Sequence, residues 1–185
     1  MPQFDESAII KQLRSEDDAQ RRNAFAVIVK KFSEPLYWLI RRIVMFHDDA
    51  NDLLQNTFVK AWLNLDSFNG LSKISTWLYR IAINESITFI TKERMRSMVS
   101  IEAQEAELER QLESDPYFDG DKVQIQLQKA IMTLPVKQRT VFNMRYYDNM
   151  KYEEISKILG TSVGALKASY HIAAKKVEEY FDSID

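Results

Sequence analysis

Three groups of polar residues stand at spacings that could do chemistry. Asp48, Asp49 and Asp52 place carboxylates at i and i+4 of a helix, a pattern that can share a divalent metal or simply supply an acidic first turn. Thr76, Arg80, Asn84, Thr88 and Thr91 recur at helical spacing and lead into Lys92, Arg94 and Arg96. Arg and Asn suit phosphates and base edges, so this second face is a nucleic-acid candidate, although a solvated helix face would read alike. Far downstream, Lys167, Ala168, His171 and Lys175 form the outward side of a third candidate face.

Helices must position all three. Asp48 to about Leu65 reads as an amphipathic helix that buries Leu54, Phe58, Ala61, Trp62 and Leu65. The polar loop from Asp66 to Lys73 follows, broken by the turn dipeptide Asn69-Gly70. The next helix packs Ile74, Trp77, Leu78 and Ile81. Upstream, residues 4–14 form a short helix and Ser15 is the expected N-cap of a second, with acids in its first turn. Ser33 is expected to cap a third, with Pro35 in its first turn. Downstream, Pro135 closes a helix carrying Ile125, Ile131 and Leu134, and a helix with Val141, Phe142 and Met144 ends at the turn Asp148-Asn149. Ile155, Ile158 and Leu159 then share a face, Gly160 supplies a tight turn, and Ser162 caps a helix with Val163, Leu166, Tyr170 and Val177 inward. This is a helix-turn-helix pattern.

Composition sets limits. Of 185 residues, 45 % are apolar, while Gly and Pro number four each; with strand-type alternation scarce, an all-α chain follows. The absence of cysteine excludes disulfides, thiol catalysis and Cys-bound zinc, and His47 and His171 have no ligand spacing around them. The amino terminus has neither a basic start nor an apolar core, so no secretion signal is expected. No apolar run approaches the roughly 18 residues needed for a bilayer. A cytoplasmic protein without membrane insertion is the expectation.

Net charge is −2, but its distribution is uneven. Residues 1–96 hold 14 Lys and Arg against 12 Asp and Glu; residues 97–121 hold 1 against 8; residues 122–185 hold 10 against 7. Two mildly basic domains, 1–96 and 122–185, are therefore expected to flank an acidic flexible linker, 97–121. That acidity would keep the linker off DNA or let it imitate nucleic acid in a basic cleft.

The stretch DDANDLLQNTFVKAWLNLDSFNGLSKISTWLYRIAINESI resembles region 2 of bacterial extracytoplasmic-function sigma factors, members of the sigma-70 family. LPVKQRTVFNMRYYDNMKYEEISKILGTSVGALKASYHIAAKKV resembles their region 4. Order, spacer and length also agree. The resemblance implies a non-enzymatic transcription initiation subunit needing no cofactor or metal. It gives Asp49, Asp52, Leu53, Gln55, Phe58 and Trp62 the role of docking on the clamp helices of the largest subunit of core RNA polymerase. It puts Asn69, Ser72, Lys73, Arg80 and Asn84 on the −10 promoter element, with Lys92, Arg94 and Arg96 on phosphates. Ser162, Lys167, Ala168, His171 and Lys175 would read the −35 element, with Arg139, Arg145, Lys151 and Tyr152 as backbone anchors. An anti-sigma factor is a further implied partner. Many members carry Arg where this chain has Ala173, which implies a lighter or displaced −35 grip. Rival expectations are a helix-turn-helix regulator acting without polymerase, a pure interaction protein, and a magnesium-dependent enzyme on the aspartates, whose spacing resembles that of prenyl-diphosphate chemistry.

Overall fold

The computed structural model describes residues 4–96, 110 and 122–184, and within them it contains eight α-helices and no strand. The acidic linker otherwise lies outside the described residues. Helix α1 spans Glu6–Leu13, with Asp5 accepting from the Ala8 amide at 3.1 Å. Helix α2 spans Asp18–Val44. Its N-cap is Asp17, which accepts from Ala19 N at 2.8 Å; the Ser15 hydroxyl instead accepts from Asp17 N, too early in the chain to cap.

Pro35 does not start a helix, contrary to the sequence expectation. It sits inside an unbroken α2, on the exposed side, where water can serve the carbonyl that lacks a proline N–H partner. Ser33 does not cap; its hydroxyl donates back to Val29 O at 2.6 Å. The gain that keeps α2 whole is burial on both sides of the proline. Ile28, Leu36, Leu39, Ile40 and Ile43 are all at most 1 % exposed. Each such side chain contributes about 1.5–3 kcal/mol of transfer free energy, which offsets one missing hydrogen bond.

Helix α3 spans His47–Leu63 and leads through a 3-10 turn, Leu65–Ser67, to α4, Ile74–Arg96. Helices α1 to α4 pack around α2. The carboxylate of Glu6 in α1 accepts from Ile74 N at 2.6 Å, so a residue 68 positions away caps the start of α4.

The C-terminal block holds α5 (Lys122–Thr133), α6 (Val136–Tyr146), α7 (Tyr152–Leu159) and α8 (Val163–Asp182). Gly160 ends α7 with φ +65°, and Ser162 accepts from Ala165 N at 3.3 Å to begin α8, as the helix-turn-helix pattern requires. Ala130, Ile131, Leu134, Phe142, Ala173 and Val177 form a cluster internal to this block.

The two blocks are in contact. Val141, Met144, Ile155, Ile158 and Leu166 join the same apolar cluster as the core of α1 to α4. Helix α4 therefore buries two stripes: Ile74 and Leu78 face its own block, and Ile83 (1 % exposed) faces α6 and α7.

Candidate functional site

The first candidate surface is the wet face of α3. Asp48, Asp52, Gln55 and Asn56 are exposed there, and Asp49 is half-buried. Burial pushes the Asp49 carboxyl above its ordinary 3.8, and the negative charges of Glu93, Asp48 and Asp52 push the same way against the pull of Arg41. Among the described residues no group of three His, Asp or Glu side chains is disposed to hold a metal ion.

Further along, Trp62 is 37 % exposed and packs edge-on against Phe25 at 5.1 Å, with Phe25 also meeting Phe58 at 6.3 Å. Trp62 is thus a half-open anchor rather than the core residue its spacing suggests. Leu53 is the reverse: at 5 % exposed it belongs to the core, so it cannot reach a partner, and Leu54 lies half-buried in its stead. Sequence reasoning misses Val59 and Leu63, yet they are 56 % and 73 % exposed beside Trp62. Acids at one end and apolar side chains at the other make a face suited to a protein partner with a basic rim.

A test arises from Asp49. The folded chain holds its proton more tightly than the unfolded chain, so its contribution to stability falls as pH rises through the range just above 3.8. Asp49→Asn is expected to raise Tm by about 2 °C or less at neutral pH, a small shift because the group is partly solvated. The difference from wild type should close below about pH 4, as scanning calorimetry would read. A lower Tm in the variant at neutral pH would mean that Asp49 is held by a favourable contact instead.

The second surface is the loop before α4 and the adjoining helix face. Asn69 accepts from Leu71 N at 3.0 Å, Gly70 takes φ +70°, and Phe68 is buried against Trp77 at 4.8 Å. These contacts hold Leu71, Ser72 and Lys73 out into solvent; Leu71, another residue that periodicity passes over, is 89 % exposed. Asn84, Thr88, Thr91 and Lys92 are exposed along α4, while the side chains of Arg94 and Arg96 lie outside the described ones.

Arg80 on this face points across to the other block. Its Nη2 donates to Lys157 O at 2.7 Å and its Nε to Ile158 O at 3.2 Å, carbonyls in the last turn of α7. A guanidinium at a helix C-terminus satisfies orphan acceptors and meets the negative end of the dipole. Ser72, Lys73 and Arg80 consequently share a groove of about 660 Å³ with Met150, Glu154 and Lys157.

The third surface is α8. Ser162, Lys167, Ala168, His171 and Lys175 are all exposed on it, and Lys151 is exposed at the start of α7. Tyr152 lies between two cations, 5.3 Å from Arg145 and 5.9 Å from Lys167. Arg145 also donates to Met150 O at 3.0 Å.

Arg139 does not belong to this face. It is 3 % exposed and donates to Ile43 O at 3.1 Å, to Met132 O at 2.7 Å and to Leu134 O at 3.5 Å, so its charge is engaged inside the protein. Ala173 likewise is fully buried against α5 and α6. An alanine there leaves the outer face of α8 unchanged, which removes the expected reason for a lighter grip on DNA.

Among the described residues the fold is all-helical, with an exposed cationic helix-turn-helix face suited to DNA and, on α3, a separate face of acids and aromatics. The sigma-70 region 2 family matches residues 28–96 and the sigma-70 region 4 family residues 124–177. The ECF RNA polymerase sigma factor SigW of Bacillus subtilis is 34 % identical over 170 residues, covering 88 % of this chain and 89 % of that one. The fold is shared with CnrH, solved in complex with the cytosolic domain of CnrY (TM-score 0.68, 22 % identity, 97 % of this chain and 99 % of that one). It is also shared with the sigma factor RpoE, solved with the anti-sigma factor NepR from Bartonella quintana (TM-score 0.63, 24 % identity, 85 % and 96 %). The chain belongs to the extracytoplasmic-function family of RNA polymerase sigma factors.

Proposed function

We propose that this chain binds core RNA polymerase through α3, directs it to promoters with two separated elements, and takes part in melting the upstream edge of the transcription bubble. The observation that carries this reading is the presence of both the α3 docking face and the open α8 face on one chain. Residues 1–96 act as the unit for docking and for the −10 element, residues 122–185 as the unit for the −35 element, and 97–121 as the tether between them.

On α3, Asp49, Asp52, Gln55, Phe58 and Trp62 make the docking contacts, joined by Val59 and Leu63, whose exposure favours it. At the −10 element a base must leave the stack, which costs a few kcal/mol. The pocket that offsets this cost combines Asn69, Ser72, Lys73, Arg80 and Asn84, with Lys92, Arg94 and Arg96 neutralising phosphates. At the −35 element α8 lies in the major groove through Ser162, Lys167, Ala168, His171 and Lys175, anchored by Arg145, Lys151 and Tyr152. The chain works in the cytoplasm, catalyses no step itself, and is held in check by an anti-sigma protein. Both fold neighbours were solved as complexes, one with an anti-sigma factor and one with a cytosolic domain, which supports the last point. No described helix is long and apolar enough to cross a membrane.

Asp52→Lys tests the docking assignment. Reversing an exposed charge leaves the helical circular-dichroism spectrum intact and weakens core polymerase affinity by about tenfold or more, the scale of a misplaced interface charge. Wild-type affinity in the variant would remove α3 from the interface.

A further inference from the structure

A polar hollow of about 340 Å³ lies beside the −10 loop, outside the three surfaces described above. Its floor is apolar, from Leu13 of α1, Leu65 and Phe68, each at most 7 % exposed. Its charged lining is two arginines and one acid: Arg14, Arg21 and Asp66. Arg14 stands exposed at the C-cap of α1, and its side chain makes no hydrogen bond or ion pair with any other described residue. The guanidinium lies on the loop itself. A methyl group added at Gly70 would come within 3.0 Å of Arg14 Nη2 and 3.6 Å of Ile10 Cγ2. The absence of a side chain at Gly70, which takes φ +70°, leaves room for the cation.

Arg21, from the first turns of α2, is held at the same hollow by Asp66, whose Oδ1 accepts from Arg21 Nη2 at 2.7 Å. The pair is lopsided: the Arg21 side chain is 25 % exposed and that of Asp66 87 %. One nitrogen meets one oxygen, and the buried Arg21 Nε has no hydrogen-bond partner among the described residues, so most of its donors are unspent. An ion pair with so exposed a carboxylate is weak and exchanges readily for another anion. Two planar guanidinium forks against one such carboxylate leave a net positive site whose geometry matches phosphate oxygens.

Position identifies the ligand. The earlier loop residues, Phe68 and Asn69, border this hollow, and the later ones, Leu71 to Lys73, border the groove shared with Arg80. A strand that gives up a base to the loop must carry its sugar-phosphate chain past one side of it. We infer that Arg14 and Arg21 hold a backbone phosphate of the melted strand beside the base that the loop takes, the phosphate displacing Asp66 from Arg21. The contact fixes where the strand lies without reading its sequence. The inference rests on the −10 assignment above, and the two can fail separately.

The test uses holoenzyme, assembled from core polymerase and the full chain, on a promoter duplex premelted over the −10 element. Single phosphates of the non-template strand are replaced in turn by neutral methylphosphonate. For the unaltered chain, replacement at the contacted phosphate should weaken binding roughly fivefold, the scale of a solvent-facing charge-assisted contact. Arg14→Gln should lose a similar factor on unmodified DNA, lower the slope of log affinity on log salt by about 0.7, and no longer respond to that replacement. Arg14→Lys keeps the charge and should recover most of the loss. Asp66→Asn frees Arg21 and should tighten binding about two- to threefold, a gain that Arg21→Gln in the same chain abolishes and that a pair serving the fold alone would not give. Core polymerase affinity measured without DNA should match wild type throughout. Arg14→Gln with wild-type affinity and an unchanged response at every phosphate overturns the inference. If Lys73→Ala still weakens binding, the −10 assignment survives that result; if not, it falls as well. A loss of core polymerase affinity in the absence of DNA gives the hollow to an acidic protein segment and also overturns the inference.

Discussion

Arg139→Ala is expected to lower the stability of the chain by roughly 3 kcal/mol, in the range for removing hydrogen bonds made by a buried charged group. The effect arises from position. The Arg139 guanidinium reaches the end of α2 through Ile43 O and the end of α5 through Met132 O and Leu134 O, so one side chain joins the ends of two helices to its own. Its burial at 3 % leaves little water to replace those donors. Chemical denaturation should show a lower midpoint with an unchanged slope. The helix-turn-helix face remains intact, so intrinsic affinity for duplex DNA, corrected for the folded fraction, should be unchanged. Wild-type stability combined with weaker duplex binding would return Arg139 to the DNA face that the family resemblance implies.

Arg80→Ala is expected to reduce open-complex formation about ten- to hundredfold, the scale of removing one or two base-directed hydrogen bonds to a melted strand. Core polymerase affinity should be unaffected, because Arg80 lies on α4, facing α7, away from the exposed residues of α3. The measurement is permanganate reactivity of unpaired thymines at the −10 element, taken with saturating holoenzyme so that docking does not limit the signal. Equal opening by wild type and variant would mean that Arg80 serves the contact between the two blocks alone.

Much of the fold is legible in periodicity. The helix-turn-helix shows through Gly160, Ser162 and the apolar spacing of Ile155, Ile158 and Leu166, all of which depend on residues within one turn or two. Local reasoning fails where distant chain decides the outcome. Pro35 looks like a helix start because its neighbours resemble a cap, whereas burial of Ile28 and Leu36 on either side holds one helix through it. Leu53 and Leu54 are adjacent on a helix whose apolar stripe is wide, and only the packing of α3 on α2 and α4 chooses Leu53 for the core.

The contact between the two blocks is the largest feature that local reasoning passes over, and it has a signal. Ile83, Ile87 and Ile90 recur at spacings of four and three beside Arg80 and Asn84, a second apolar stripe on a helix already assigned one. A helix with two apolar stripes asks for two neighbours. The identity of the second neighbour is hidden, because the donors Arg139 and Asn143 look in sequence like any polar residues of a DNA-binding helix.

Run-off transcription from genomic fragments tests most directly whether this chain confers promoter selection on core polymerase. It requires cognate core enzyme of verified elongation activity, with and without this protein. Discrete new transcripts whose upstream sequences share two spaced elements are the expected result. The absence of any new transcript, together with specific DNA binding by the protein alone, would contradict promoter selection through polymerase.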